Sequence, residues 1–263
     1  MCNQKGTLKV PEGNAGRVSI NNGLKASVNV CKEENIFLIH DERGVGVKVV
    51  AYIPIKLNNQ RLPGKNLLPL GDMRVCDYAF SAISAVNGID ERYVFCSDES
   101  IREYLPAPIR FLKRDSSLDG NQVKTMEIVH SFIQSVEADI YILTHVTSPF
   151  LRSASIETAL NKVKYEGFDS AFCVERIQSL CWFGNKPLNY DIDDIPRTQD
   201  IAPVLVETNG FYIFRKEVAT KQNCRIGKKP YIFEVDKFEA SDIDTAQDYE
   251  FAELIARHMN RRG

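Results

Sequence analysis

The sequence predicts an α/β fold built around a mostly parallel sheet. From Val47 onward, short apolar runs rich in β-branched and aromatic residues alternate with helical patterns, the signature of crossover units. The apolar runs are continuous rather than alternating, as expected of strands covered by helices on both faces. With 263 residues and 44% hydrophobic content, the chain has ample material for a large core.

The alternation opens with "VKVVAYIPI" and "VCDYAFSAISAV". It continues through "RYVFCSD", "ESIREYL", "IRFLKR", "VKTMEIVHSFIQSV", "IYILTHV" and "SIETALNKVKYEG" to "SAFCVE". After Glu175 the rhythm breaks into a stretch rich in Pro, Asn and Asp, "SLCWFGNKPLNYDIDDIPRTQDIAPVLVETNG", which reads as an inserted arm or lid over about residues 176–208. Strands "FYIFRK" and "YIFEV" follow, then a last helix from about Thr245 to Met259. Residues 1–46 carry glycines and polar residues around short apolar pieces and no helical period, so they stand apart from the domain at 47–263. They form an appendage of unknown role, either a small β element or the remnant of a linker.

Composition narrows the function. With 33 basic and 35 acidic side chains the net charge is −2, which argues against a nucleic-acid coat or a membrane-surface binder. Seven cysteines are scattered singly without a CxxC pair, so reduced, mostly buried thiols are expected rather than a zinc ribbon or a disulfide framework. No stretch approaches the ~20 apolar residues of a membrane span, and the start lacks the pattern of a secretory signal. A cytoplasmic protein without nucleic-acid or membrane partners is expected.

Any anion site is therefore local, and one segment supplies it. "IPIKLNNQRLPGKN", Ile53 to Asn66, leaves the first strand of the alternation at the end where open α/β sheets bind ligands. Lys56, Arg61 and Lys65 in a loop bearing Pro and Gly can converge, with exposed backbone N–H groups, on a polyphosphate. The loop is not a Walker loop, because GxxxxGK[ST] is absent and only "PGKN" approaches it.

The same loop resembles the signature of the acylneuraminate cytidylyltransferases (CMP-sialic acid synthetases), IPARxGSKxxxxKN, and its "RLPGK" is similar to the related CMP-Kdo synthetases. The likeness continues in order. "FCSDESI" resembles STDxxxI, "LTHVTSPFLR" resembles LLQPTSPLR, "IPRTQDIAPVLVETNGFYIF" resembles PRRQDxPxxYxxNGxxYI, and "EASDIDTAQDYEFAE" resembles xxDIDxxxDxxxAE. Together they span about residues 48 to 258. The resemblance implies a Rossmann-like nucleotidyltransferase fold of three layers and a homodimer whose inserted arm reaches the partner's active site. CTP and a divalent metal, Mg²⁺ or Mn²⁺, are implied requirements. The implied reaction is attack by the anomeric hydroxyl of an acidic 2-keto-3-deoxy sugar on the α-phosphate of CTP, giving a CMP-sugar and pyrophosphate.

On that basis Lys65, Arg61 and Asp244 are the candidate catalytic residues, Lys65 first, and substituting Lys65 is expected to leave folding almost unchanged. Ile55, Lys56, Asn58, Asn59, Lys65, Asn66 and Asp98 are candidates for nucleotide contacts, although Asp98 also suits a helix cap. His145, Thr147, Ser148, Arg197, Gln199 and Asn209 are candidates for the acidic sugar. Asp242 and Asp244 are candidate metal ligands, since two carboxylates two residues apart suit a hard cation, while Asp244 with Gln247 also reads as a capping box. The sequence departs from the family pattern where Lys56 stands for Arg, where Asn58 and Asn59 stand near the Gly-Ser, and where His145 replaces Gln. Those departures keep two other readings open: activation of another acid, such as Kdo or a phosphonate, and a non-catalytic nucleotide-binding homologue.

Overall fold

The structure is a computed structural model that describes residues 46–260 and three strands among the residues before them. It divides into two compact units, Met1–Val47 and Lys48–Gly263. In the first unit, β1 (Gly16–Ile20), β2 (Leu24–Val30) and β3 (Phe37–His40) form an antiparallel sheet in that order.

The second unit runs β4 (Val49–Ile55), β5 (Pro69–Leu70), β6 (Met73–Arg74), α1 (Val75–Ser84), β7 (Glu91–Cys96), β8 (Ile109–Lys113), α2 (Thr125–Ser135), β9 (Ile140–Thr144) and α3 (Ser153–Tyr165). It continues with β10 (Ser170–Ile177), β11 (Trp182–Phe183), β12 (Lys186–Pro187), β13 (Val204–Arg215), α4 (Lys216–Gln222), β14 (Pro230–Val235) and α5 (Ala246–Asn260). Seven strands make the central sheet in the order β14-β10-β13-β9-β4-β7-β8. All neighbours pair in parallel except β13, which runs antiparallel to both β9 and β10. The reversal follows from the arm: the excursion after β10 leaves and re-enters at one edge of the sheet, so the returning strand must run the other way. β13 consequently begins inside the segment assigned to the arm from sequence, and Ile177 pairs with Val204 at its root.

β4 is buried along nearly its whole length, which its unbroken apolar run anticipates. α2 and α4 pack together on one face of the sheet, and α1 and α3 on the other. Beneath α2, Phe132 stacks on Tyr52 with ring centroids 3.9 Å apart, inside an aromatic cluster with Phe95, Tyr141, Tyr212 and Phe214. Cys76, Cys96 and Cys173 are buried free thiols, and Cys181 and Cys224 are half-buried. Among the described residues no helix is long and apolar enough to cross a membrane.

Two boundaries differ from the sequence expectation. α4, "KEVATKQ", was not anticipated, because a seven-residue helix shows less than two turns of periodicity. α3 starts at Ser153, two residues before Ser155, where Arg152 N and Ser155 Oγ both meet the buried carboxylate of Glu239.

Candidate active site

The chain goes outward from β4 to β7 and β8, then crosses to the other side of β4 for β9. The carboxyl ends of β4 and β9 thus flank a topological switch point, where open α/β sheets hold ligands. β4 pairs with β9 only as far as Tyr52, while it stays paired with β7 through Ile55. Pro54 lies past the end of the β9 ladder, on the stretch where a missing backbone donor costs least. A cleft of about 610 Å³ opens there, lined by the loop after β4, by Arg114 and the segment following β8, by the start of α2, and by His145.

The loop's sequence explains its shape. Gly64 is left-handed (φ 65°), a conformation costly for residues with a side chain, and it turns the chain into a 3₁₀ turn at Lys65–Leu67. That turn delivers Lys65 into the interior. Its Nζ donates to Ile243 O at 2.8 Å and to Asp244 Oδ1 at 2.9 Å. Arg61 Nη1 meets the other oxygen, Asp244 Oδ2, also at 2.9 Å. Two cations from the first loop therefore share one carboxylate from the last. The exposure of the Lys65 side chain is only 11%, so its charge depends on these partners rather than on water, which argues against the expectation that its loss would spare folding.

Lys56 takes a different direction. It lines the same cleft, but its Nζ donates to Asp119 O at 3.2 Å and Asn121 Oδ1 at 3.0 Å on the far wall. The three cations expected to converge thus separate into a pair and a single. Buried Asn66 donates to Lys56 O at 2.8 Å and ties the loop's two ends together. Ile55 is buried at the end of β4, Asn58 is exposed, and Asn59 keeps a buried Oδ1 without a partner. Asp98 caps the 3₁₀ turn after β7 by accepting from Ser100 N at 2.9 Å.

His145 follows β9. Its Nε2 is buried without a hydrogen-bond partner, and burial, then Arg225 and Lys65, push its pKa down to about 4, against a smaller upward pull from Asp244. It is a neutral imidazole at neutral pH. The turn it begins holds Thr147, whose carbonyl accepts from Ile243 N at 2.8 Å, and buried Ser148, whose N–H returns to His145 O. The β9 loop and the Asp242–Asp244 segment are thereby bonded to each other beside Lys65.

Asp242 and Asp244 flank fully buried Ile243. Asp242 Oδ2 accepts from Asn209 Nδ2 at 2.9 Å, and its Oδ1 is buried with no partner. The capping box expected at Asp244 and Gln247 lies one residue on: Asp248 Oδ2 accepts from Thr245 N at 2.8 Å, and Thr245 Oγ1 from Asp248 N at 3.3 Å. The hydroxyl of Thr245 competes better for the role, and Asp244 is left to the cations. Among the described residues no three His, Cys, Asp or Glu side chains gather as a metal site. Mg²⁺ needs fewer, since it commonly takes one or two carboxylates and completes its shell with phosphate and water. The orphaned Oδ1 of Asp242 fits that demand.

The arm places its candidates elsewhere. Arg197 is 74% exposed and pairs with Asp200 at 2.6 Å, and Gln199 beside it is exposed as well.

A family model described as Cytidylyltransferase matches residues 50–256, from the first strand of the central sheet into α5. The chain belongs to that family. N-acylneuraminate cytidylyltransferase A of Danio rerio is 25% identical over 215 residues, 78% of this chain and 50% of that protein, so the chain spans about half the length of this relative. Pseudaminic acid cytidylyltransferase of Campylobacter jejuni is 22% identical over 227 residues, 80% of this chain and 96% of that protein. The solved CMP:2-keto-3-deoxy-manno-octonic acid synthetase complexed with CTP superposes with a TM-score of 0.59 at 20% identity, over 82% of this chain and all of that one. A 4-diphosphocytidyl-2C-methyl-D-erythritol synthase from Anaerococcus prevotii gives 0.55 at 12% identity, over 80% of this chain and 96% of that one. Both share the nucleotidyltransferase fold seen here.

Within this cytidylyltransferase cleft, Arg114 is the side chain that the sequence reading passed over. It is buried, its Nη2 meets Asp119 Oδ1 at 2.5 Å, its Nε has no partner, and Ser97 Oγ donates to the same aspartate. The signal was present: an arginine one residue past a strand, at the crevice end, just before "DSSLDG".

Proposed function

We propose that the chain transfers CMP from CTP to the anomeric hydroxyl of an acidic 3-deoxy-2-ulosonic sugar, a sialic acid or related nonulosonate, and releases pyrophosphate. The observation that carries this reading is the convergence of Lys65 and Arg61 on Asp244 at the switch-point cleft. Two cations held in place before the reaction suit a triphosphate whose leaving pyrophosphate gains charge as the bond to the α-phosphorus breaks. The sugar oxygen forms the new P–O bond, the bridging oxygen departs with pyrophosphate, and the hydroxyl proton passes to water. No protein nucleophile is needed, because positioning and charge neutralisation suffice for direct displacement.

Asp244 orients the two cations. Both of its oxygens are engaged by those cations, so we assign it that role rather than proton abstraction. We assign Lys56 and Arg114, which line the cleft, to the nucleoside, and neutral His145 to a hydrogen bond with nucleotide or sugar. Asp242, with Asp244, would hold Mg²⁺, which when bound supplies charge to the phosphates. The arm, with Arg197 and Gln199 far from saturation and Trp182 and Phe183 exposed, fits a homodimer in which it completes the site of a second copy.

Pyrophosphate release tests the reading, with Mg²⁺, each of CTP, UTP, ATP and GTP, and sialic, legionaminic, pseudaminic and Kdo acids. Release is expected with CTP and one of the nine-carbon acids. Equal use of purine triphosphates, or silence with every acid, would refute it.

A further inference from the structure

We propose that Arg225 binds the carboxylate of the acceptor sugar, presented by a loop that the fold clamps at both ends. The inference rests on the cytidylyl-transfer reading above. Arg225 follows α4, and its guanidinium lies over the ring of Tyr212, 3.7 Å from the centroid. The same ring meets His145 edge-on, with centroids 6.5 Å apart. Arg225 is therefore one aromatic ring away from His145, which lines the cleft at the end of β9.

The loop that carries it is fixed. Asn223 closes α4 in the left-handed conformation, and its Oδ1 lies 2.6 Å from His130 Nε2 on α2. On the other side of Arg225, Gly227 N donates to Ser170 Oγ at 2.7 Å, while Asp169 Oδ2 accepts from Lys228 N and Lys229 N at 2.8 and 3.0 Å. A side chain at 227 would run into the Asp169 carboxylate and force it to shift. A cation on so constrained a mount loses little entropy when it binds an anion.

The Arg225 side chain is 21% exposed and already has two polar partners. Arg225 Nη2 donates to Tyr212 Oη at 2.9 Å and reaches Glu207 Oε1 only at 3.2 Å, long for a charge-assisted bond. Tyr212 Oη donates to the same Glu207 oxygen at 2.5 Å. Two donors thus meet on one carboxylate oxygen of an exposed glutamate, whose place the acid's carboxylate would take under this proposal. The cations that line the cleft, Lys65, Arg61, Lys56 and Arg114, are assigned above to the nucleotide, which leaves the acid's carboxylate to another cation. A 2-keto acid's carboxylate is planar and matches the guanidinium fork.

The test compares wild type with Arg225→Gln, Arg225→Lys and Glu207→Gln, using whichever acid of the panel turns over best and its carboxamide analogue. Arg225→Gln should raise KM for the acid about 10- to 100-fold, the scale of one charge-assisted bond, and leave KM for CTP nearly unchanged. Arg225→Lys should fall between, since it keeps charge but loses the fork, and Glu207→Gln should lower the acid's KM. The carboxamide should bind wild type as poorly as the acid binds Arg225→Gln. If that variant also disturbs CTP binding, the carboxamide and Glu207→Gln comparisons decide on intact sites. An unchanged KM for the acid in Arg225→Gln, or an equal penalty for the carboxamide with and without Arg225, overturns the assignment while the transfer reaction stands. Absence of pyrophosphate release with every acid overturns both.

Discussion

The loop after β4 and the arm after β10 both project from the carboxyl edge of the sheet region, yet they are built in opposite ways. In the loop, Lys65, Arg61 and Lys56 each have a partner supplied by another part of the same chain, and Asn66 ties the ends together. In the arm, Trp182, Phe183, Leu188, Ile192 and Ile195 are exposed by 51 to 79%, and Arg197 has only its near neighbour Asp200. A loop closed on itself holds its cations in place before any ligand arrives, as the proposed triphosphate role requires. Several exposed large apolar side chains on one arm suit contact with another macromolecule.

The largest expected effect breaks the closed loop. Lys65→Ala removes a preorganised cation and should cost about 2 to 4 kcal/mol in the chemical step, seen as a fall in kcat. Because Asp244 and Ile243 O lose their shared donor, we expect about 1 to 3 kcal/mol of stability to go with it, read from denaturant midpoints. Turnover close to wild type would make Lys65 a structural cation and nothing more.

The two aspartates sharpen the same side of the comparison. Asp242→Asn removes charge from the orphaned oxygen without touching the cation pair, so it should raise the Mg²⁺ needed for half-activation about tenfold or more at an unchanged melting temperature. Asp244→Asn should lower the melting temperature as well, because it leaves Lys65 and Arg61 without their counter-charge. Normal Mg²⁺ activation in both variants would rule out metal binding here.

His145 offers a smaller effect with a definite sign. Its folded pKa, pushed down to about 4, lies below the unfolded value near 6.5, so the unfolded chain binds the extra proton between them. Stability from this group is intact above about pH 6.5 and is lost as pH falls toward 4, amounting to about 2 kcal/mol by pH 5. The charged groups acting on the ring are Arg225, Lys65 and Asp244. His145→Gln should flatten the urea-midpoint profile between pH 7 and 5; an unchanged profile would mean that the ring is solvated. The least change to the protomer is expected in the arm, where Phe183→Asp should alter stability by less than about 0.5 kcal/mol yet halve the particle mass in sedimentation. An unaltered mass would refute a dimer held together by the arm.

Much of this was legible in the residues. Unbroken apolar runs such as "VKVVAYIPI" give the sheet, because burial on both faces leaves no alternation, and the Gly and cations of "RLPGKN" mark the anion loop. What escaped depends on pairings distant in the chain. That Lys65 and Asp244, 179 residues apart, share a bond follows from no local pattern, and neither does the divergence of Lys56 toward Asn121. Asp244 looked like a cap because Gln247 has the right spacing, but the hydroxyl of Thr245 took that place. Arg225 stood in a short loop after a helix too brief to show periodicity, so nothing marked it until Tyr212 and His145 were seen beside it.

The most direct measurement is phosphorus NMR of the chain mixed with CTP, Mg²⁺ and each sugar acid in turn. We expect the three CTP resonances to be replaced by pyrophosphate and one new phosphodiester signal in equal amounts, only when a suitable acid is present. CTP that persists with every acid, or that decays to CMP without a sugar phosphodiester, would contradict cytidylyl transfer at the Lys65–Asp244 site.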